Sequence, residues 1–266
     1  MNSKYEISTK ENREFLKASC EELLNFGHRF PSPNGGSYYL GDDGTPWKDR
    51  NRETWITCRM AHVYSLGLML GHEGSGELAD AALKGLNGEL HDEKNGGWYA
   101  GVTPEGDIVP NKQCYAHAFV ILAASSALTA GRPGAKELLE EALAVYDRHF
   151  WNEEEGLACD TWNTEFTVLD DYRGLNANMH TVEAFLAAGD VTGDKKYHIR
   201  AGRIIDHVIQ WAEDNSWRIP EHFTREWVAD LDCNRDRPDD PFKPYGATPG
   251  HGIEWARLIT QWTLAN

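Results

Sequence analysis

The chain has 266 residues, 41% of them hydrophobic, which is enough to bury the core of one large domain or two small ones. Its 42 acidic and 26 basic residues give a net charge of −16, which argues against nucleic acid or an anionic membrane as a partner. No stretch approaches the roughly 18 apolar residues that span a bilayer, and the N-terminus shows no signal peptide. The five scattered cysteines indicate neither a disulfide framework nor a zinc site. We therefore expect a cytoplasmic protein.

The N-terminal part of the chain predicts a helix, a long loop and a second helix. Residues 9–27 form an amphipathic pattern that stops at Gly27. Residues 31–52 are rich in glycine, proline and aspartate, which favour turns, with a short extended piece at Tyr38–Leu40. The second helix is predicted from about Thr54 to Leu70.

A repeat of about 60 residues follows, marked by glycine-containing turns at Gly71, Gly131 and Gly193. Each turn leads into a charged, amphipathic helix, and more apolar helices lie between these. The amphipathic helices are predicted over 77–90, 136–150 and 197–211, and the apolar ones over 112–130, 176–188 and 251–264.

This alternation is typical of a ring of helical hairpins, because inner helices are buried on all sides and outer helices on one. We predict an all-α toroid with two concentric layers and with the long loops gathered at one end. The chain contains no recognisable linker, so residues 1–266 are predicted to form a single domain.

Polar side chains recur near the start of every predicted inner helix, although burying them is costly unless they are paired or used. A lone histidine on an apolar helix is more often a core residue than a catalyst. Recurrence in all four helices nevertheless favours a shared ligand site at one mouth of the ring. Asn176 also fits the N-cap of its helix. The recurring residues are Trp55, Arg59, Tyr115, Asn176, His180, Glu183, His251 and Glu254.

The residue types indicate acid–base chemistry. His180 and His251 are each followed three positions later by a glutamate, Glu183 and Glu254, so imidazole and carboxylate share a helix face. Histidine titrates near neutrality, and Arg59 suits an anion or a developing oxyanion. There is no H-E-x-x-H motif and no close histidine pair with an acidic third ligand, so neither a metal nor another cofactor is predicted.

Four motifs stand in order along the chain: Thr54-Trp-Ile-Thr-Cys-Arg-Met, Lys112-Gln-Cys-Tyr-Ala-His-Ala-Phe, Tyr172-Arg-Gly-Leu-Asn-Ala-Asn-Met-His and Pro249-Gly-His-Gly-Ile-Glu-Trp-Ala. Together they resemble the N-acylglucosamine 2-epimerase superfamily, most closely its aldose–ketose isomerase branch of mannose and sulfoquinovose isomerases. The resemblance runs from about residue 10 to the end of the chain.

The resemblance implies an (α/α)6 barrel, of which about eight of the twelve helices are present. Family members are longer, so we expect this chain to lack the C-terminal third, which carries the second acid–base histidine. A ring opened in this way exposes the apolar flanks of its first and last helices, which predicts a homo-oligomer.

The resemblance also implies how the matched residues bind a monosaccharide. Trp55 would line the sugar pocket, and Arg59 would hold ring or carbonyl oxygens. Tyr115 and Asn176 would form hydrogen bonds with hydroxyl groups. His180 would bind or polarise the sugar near C1.

The catalytic residues implied by the resemblance are His251, His180, Glu254 and Arg59. His251, supported by Glu254, would be one of two acid–base histidines that move a proton between C1 and C2 through a cis-enediolate. Arg59 and His180 would stabilise the charge of this intermediate. The predicted function is a sugar isomerase that interconverts an aldose and its 2-ketose, of the mannose–fructose or sulfoquinovose type.

Three alternatives remain open. A sugar 2-epimerase differs only in the carbon to which the proton returns. A glycoside hydrolase of the same barrel type needs two facing carboxylates, and Asp170-Asp171 and Asp239-Asp240 are candidates. A non-catalytic sugar-binding or interaction protein is the third, because the C-terminal third is expected to be absent.

Overall fold

The computed structural model describes residues 3–266, which form a short 3₁₀ helix (Ser3–Tyr5), eight α-helices and eleven short strands. The helices are α1 (Lys10–Gly27), α2 (Thr54–Met69), α3 (Ser75–Leu86), α4 (Cys114–Thr129), α5 (Ala135–His149), α6 (Leu175–Thr192), α7 (Lys195–Asp214) and α8 (Pro249–Ala265). The strands are β1 (Tyr39–Leu40), β2 (Pro46–Trp47), β3 (Arg52–Glu53), β4 (Gly101–Val102), β5 (Ile108–Val109), β6 (Asn111–Gln113), β7 (Trp151–Asn152), β8 (Leu157–Ala158), β9 (Thr161–Asn163), β10 (Arg173–Gly174) and β11 (His222–Phe223).

The helix boundaries follow local sequence. Thr9 caps α1, since its Oγ1 accepts a hydrogen bond of 3.1 Å from the backbone N–H of Asn12. Gly71 and Gly131 follow α2 and α4 with φ angles of 80° and 68°, and Gly193 ends α6 with a φ of 73°. Glycine adopts this left-handed backbone without the steric cost of a Cβ atom. The three glycines therefore end one helix of each hairpin and lead into the next.

The helices form two layers, which confirms the all-α prediction. The inner helices α2, α4 and α6 pack side by side, and each also packs against the outer helix that follows it. Thirteen of the sixteen residues of α4 are buried, against six of the fifteen residues of α5. Among residues 3–266, no helix combines the length and the apolar character needed to cross a membrane.

The helix α8 differs from the prediction of an inner helix buried on all sides. Only Trp255 and Leu258 of this helix are buried, whereas Ile253 and Leu264 are 75% and 83% exposed. Its main packing partners are α6 and α7, so neighbours cover one side of the helix. That side includes the contact with α6, which brings the start of α8 close to the start of α6.

Short strands fix where the inner helices begin. β3, β6 and β10 come directly before α2, α4 and α6, and they pair antiparallel with β4, β9 and β11. Each of these helices therefore starts from a backbone segment that is hydrogen-bonded to a neighbouring loop. As a result, the first turns of the inner helices converge at one end of the molecule.

A fully buried ion pair lies beneath this end. Lys112 Nζ is 2.8 Å from Asp92 Oδ2, and both side chains have no exposed surface. Lys112 Nζ also donates to the carbonyl of Gly96 at 2.9 Å, and it lies 4.5 Å from the centre of the Tyr99 ring. This pair joins β6, which starts α4, to the loop after α3.

Candidate active site

A cavity of about 200 Å³ opens where the first turns of α2, α4 and α6 converge. Trp55, Tyr115 and Asn176, one from each helix, line it together with Phe242 and Lys243 from the long segment before α8. These three were predicted from sequence to bind a ligand, and the structure brings them together.

The cavity has an aromatic wall whose orientation is fixed. The Trp55 indole packs edge-on against Tyr115 and Phe242, with ring centres 5.9 and 6.1 Å apart. Its Nε1–H donates to Glu53 Oε2 at 2.6 Å, and Glu53 also accepts a hydrogen bond from the Tyr39 hydroxyl. A half-buried, oriented indole offers a flat apolar surface with a polar edge, which suits the C–H face of a sugar.

Arg59 and His180 approach each other across an aromatic contact. The Arg59 guanidinium lies 4.6 Å from the centre of the Phe119 ring, and that ring lies 4.5 Å from the His180 imidazole. Tyr115 contacts both, with its hydroxyl 3.5 Å from Arg59 Nη2 and its ring 5.2 Å from His180. Arg59 and His180, both predicted site residues, are therefore brought together through Phe119 and Tyr115.

His180 is held by the glutamate one turn further along α6, as the spacing predicted. His180 Nδ1 lies 3.0 Å from Glu183 Oε2, and Arg257 on α8 donates to Glu183 Oε1 at 2.7 Å. Burial alone would raise the pKa of Glu183, but the hydrogen bonds and charges of His180 and Arg257 lower it to about 2. The pairing leaves Nε2 of His180 as the nitrogen available to a ligand.

His251 has a different partner from the one predicted. Its Nδ1 lies 2.9 Å from Oε2 of the buried Glu221, whereas Glu254 was expected to support it. The Oε1 atom of Glu221 accepts from the backbone N–H of Thr248 at 3.2 Å. The hydrogen bond with Glu221 raises the pKa of His251 above its usual value, against the effect of burial. The residue that supports His251 through a hydrogen bond is therefore Glu221, and the prediction of Glu254 in this role is corrected.

Glu254 lies instead beside the other histidine. One nitrogen or oxygen atom from each of His180, Glu183 and Glu254 lies within 4.8 Å of the other two. These residue types at this spacing could hold a metal ion. Arg257, however, bonds Glu183 and lies 3.9 Å from Glu254, so a cation already balances the two carboxylates. The geometry therefore fits an ion-pair network, and the absence of a metal stays a prediction.

The start of α6 connects the two sides of the site. The backbone N–H of Gly174 donates to Asp160 Oδ2 at 2.8 Å, and that of Leu175 donates to the carbonyl of Glu221 at 3.0 Å. The N-cap of α6 is Gly174, in an extended conformation with φ −141° and ψ 150°. The prediction of Asn176 as the N-cap is thus wrong, because the helix begins one residue before it and its side chain lines the cavity.

Besides Glu53, which holds Trp55, two further carboxylates of the site were missed by sequence reasoning. Glu221 and Asp160 stand in short irregular segments, where no helical spacing relates them to the histidines. Asp160 lines the cavity, and burial raises the pKa of Asp160 to about 7. No pattern in the sequence marks either residue as part of the site.

The carboxylates proposed for a glycoside hydrolase do not line the cavity. Asp170, Asp171 and Asp239 are exposed on loops. Asp240 accepts hydrogen bonds of 3.0 and 2.8 Å from the backbone N–H groups of Phe242 and Lys243. Their positions give no support to a hydrolase with these residues as the facing pair.

Known proteins share this sequence and arrangement. A D-mannose isomerase from Thermobifida fusca is 43% identical over 250 residues, which are 93% of this chain and 61% of that protein. A crystal structure of a D-mannose isomerase matches with a TM-score of 0.89 and 29% identity, and the match covers 96% of this chain and 66% of that one. The chain thus spans less than two thirds of the length of these relatives.

A more distant structure shares the fold. The cellobiose 2-epimerase from Spirochaeta thermophila matches with a TM-score of 0.79 at 19% identity, over 96% of this chain and 65% of that one. The family model described as N-acylglucosamine 2-epimerase (GlcNAc 2-epimerase) matches residues 35–266. The chain therefore belongs to the N-acylglucosamine 2-epimerase family.

Proposed function

We propose that this protein is an aldose–ketose isomerase that converts a mannose-type monosaccharide into its 2-ketose. One observation carries the proposal: His180 and His251 are each bonded through Nδ1 to a carboxylate, and His180 contacts Tyr115, which lines the cavity with Trp55. The 43% identity to a D-mannose isomerase supports the same reaction and the mannose type of sugar over the sulfoquinovose type.

The proposed reaction begins with opening of the sugar ring. The C1 carbonyl then acidifies the C2 hydrogen, and His251 Nε2 removes it as a proton to give a cis-enediolate. Glu221 stabilises the resulting imidazolium, because its carboxylate holds the opposite ring nitrogen. Transfer of the proton on O2 to O1, together with return of a proton to C1, gives the ketose. Acid–base catalysis of this kind contributes roughly 10²–10⁴-fold to the rate.

The enediolate carries a negative charge on oxygen that the site must stabilise. Arg59 and His180, which meet across Phe119, supply the cationic and hydrogen-bonding groups in the proposal. Trp55, Tyr115 and Asn176 hold the sugar in the cavity. No external oxidant or reductant is needed, because C1 is reduced as C2 is oxidised within one molecule.

A 2-epimerase is the second candidate, favoured by the description of the family model that matches the chain. Both reactions share the enediolate and differ in the carbon that receives the proton. Incubation with D-mannose in D₂O tests both: we expect fructose with deuterium at C1. Glucose with deuterium at C2 would instead support epimerisation.

The D₂O experiment also tests the role of His251. We expect His251→Asn to reduce deuterium incorporation by about 10²-fold or more. His207→Asn is a matched control, because His207 lies on the outer helix α7, where it bonds the carbonyl of Glu155 and stacks on Trp211. Mannose binding without turnover, unchanged by His251→Ala, would contradict the proposal and support a non-catalytic sugar-binding protein.

A homo-oligomer and a cytoplasmic location stay predictions from sequence.

A further inference from the structure

Asp160 is held in the cavity by hydrogen bonds at both its backbone and its side chain. Its carbonyl accepts from the N–H of Cys114, the first residue of α4, at 2.8 Å. Its Oδ2 atom accepts from the N–H of Gly174, the residue before α6, at 2.8 Å. The carboxyl group therefore has a fixed position between two inner helices, as a preorganised binding group requires.

The other carboxylate oxygen of Asp160 has an unused acceptor. Within residues 3–266, Oδ1 makes no hydrogen bond, and the residue lines the cavity. If a bound molecule displaces water from this oxygen without supplying a donor, the loss of that hydrogen bond is unfavourable. The molecule that fills the cavity is therefore expected to supply a donor, and a sugar hydroxyl is one.

In the described part of the chain, residues 3–266, Asp160 makes no hydrogen bond with the two histidines of the proposed reaction. The N–H of Gly174 points to its carboxylate, and the next N–H, of Leu175, points to the backbone carbonyl of Glu221, whose side chain binds His251. Consecutive N–H groups of an extended segment point in opposite directions. The Asp160 carboxylate and the Glu221 backbone therefore lie on opposite sides of the segment that starts α6.

We propose that Asp160 determines sugar specificity, with Oδ1 accepting a hydrogen bond from a hydroxyl on C3, C4 or C6, remote from the reacting C1 and C2. This inference rests on the proposed function of the site. A hydroxyl that contributes equally to substrate and transition-state binding affects KM and leaves kcat nearly unchanged.

The test compares D-mannose with its 3-, 4- and 6-deoxy derivatives in the unmutated protein and in Asp160→Asn. It is run at about pH 8.5, where a carboxyl group with a pKa of about 7 is ionised and acts as an acceptor. The amide keeps an oxygen for the N–H of Gly174 and turns an NH₂ donor toward the cavity, so the acceptor is lost. In the unmutated protein, we expect one deoxy sugar to have a KM about 10- to 100-fold above that of mannose. In Asp160→Asn, that difference disappears, because KM for mannose itself rises to the same level.

Asp170→Asn is the matched control. The side chain of Asp170 accepts a hydrogen bond of 3.0 Å from the backbone N–H of Tyr172, in the same segment of chain. Unlike Asp160, Asp170 is exposed and does not line the cavity. This variant should keep the full preference for mannose over the deoxy sugar. Calorimetric affinities of the four sugars, measured with and without Asp160→Asn in a His251→Asn background, report on Asp160 without turnover.

The results separate the two proposals. If the unmutated protein binds mannose but does not exchange its C2 hydrogen, the isomerase proposal is wrong, and the calorimetric comparison still decides the role of Asp160. If all three deoxy sugars behave like mannose, or if Asp160→Asn keeps the preference, Asp160 does not bind a hydroxyl. If Asp170→Asn abolishes the preference equally, the effect belongs to the loop and the inference fails.

Discussion

His251 and Glu221, thirty residues apart in the chain, form a hydrogen-bonded pair with 2.9 Å between Nδ1 and Oε2. Glu221 is buried and is itself fixed by the N–H groups of Leu175 and Thr248. The imidazole is thereby oriented and its charged form stabilised, which is how a carboxylate prepares a histidine for proton transfer.

Glu221→Gln should lower the pKa of His251, because the hydrogen bond to the carboxylate is what raises it. A base must be deprotonated to act, so kcat/KM falls as pH falls through this pKa. In the variant, the acid limb of the pH profile should therefore move to lower pH, while the maximal rate drops about tenfold or more. Glu226→Gln, on an exposed loop, is the control. An unshifted acid limb would show that Glu221 does not govern His251.

His180→Asn should reduce kcat by about 10²–10³-fold, the usual cost of losing one group that stabilises an oxyanion. The ratio of fructose to glucose formed should stay the same, because His251 still moves the proton. Steady-state kinetics with product analysis by NMR measures both quantities. A variant with normal kcat would remove His180 from the proposed machinery.

Glu183 should make the free energy of unfolding depend on pH in the acidic range. Its folded-state pKa of about 2 lies below the ordinary 4.5, so its contribution is present above pH 4.5 and is lost as pH falls toward 2. At pH 7, Glu183→Gln should lower the free energy of unfolding by about 1–2 kcal/mol, discounted because Arg257 is half-exposed. Urea unfolding should show this difference shrinking below pH 4.5. A difference that stays constant with pH would contradict the assignment.

The buried pair of Lys112 and Asp92 should be sensitive to the loss of one partner. Lys112→Met leaves a carboxylate without exposed surface and without its cation, which costs about 3–5 kcal/mol of the unfolding free energy. The double variant with Asp92→Asn should recover part of this loss. Lys10→Met serves as a control, because Lys10 and Glu14 are exposed and such pairs contribute about 0–1 kcal/mol. Additive effects in the cycle would argue against coupling of the pair.

The helices could be predicted from sequence because glycine-containing turns and the spacing of apolar residues are both visible within a short stretch of the chain. Gly71, Gly131 and Gly193 mark the helix ends in the structure as they do in the sequence. The strands before α2, α4 and α6 were not predicted, because strands of two or three residues are too short to show an alternation of apolar and polar side chains. Their pairing with distant loops depends on tertiary contacts.

The site was predictable where its residues lie on the inner helices, and not elsewhere. Trp55, Tyr115 and His180 were found because such side chains recur near the start of each predicted inner helix and because their motifs resemble a known family. Glu221 escaped detection because β11, which follows it, pairs with β10 and brings it to His251 only in the folded chain. The expected partner, Glu254, has the right spacing on α8 but lies beside His180 and Glu183 instead.

The N–H groups of Gly174 and Leu175 hold two parts of the site from neighbouring positions in the chain. The first anchors the Asp160 carboxylate and the second the Glu221 backbone. If Asp160 and Glu221 have the roles proposed for them, substitutions near Asp160 would change the preferred sugar and leave the pair of His251 and Glu221 in place. A search for variants that accept a new sugar would then concentrate on one loop of the protein.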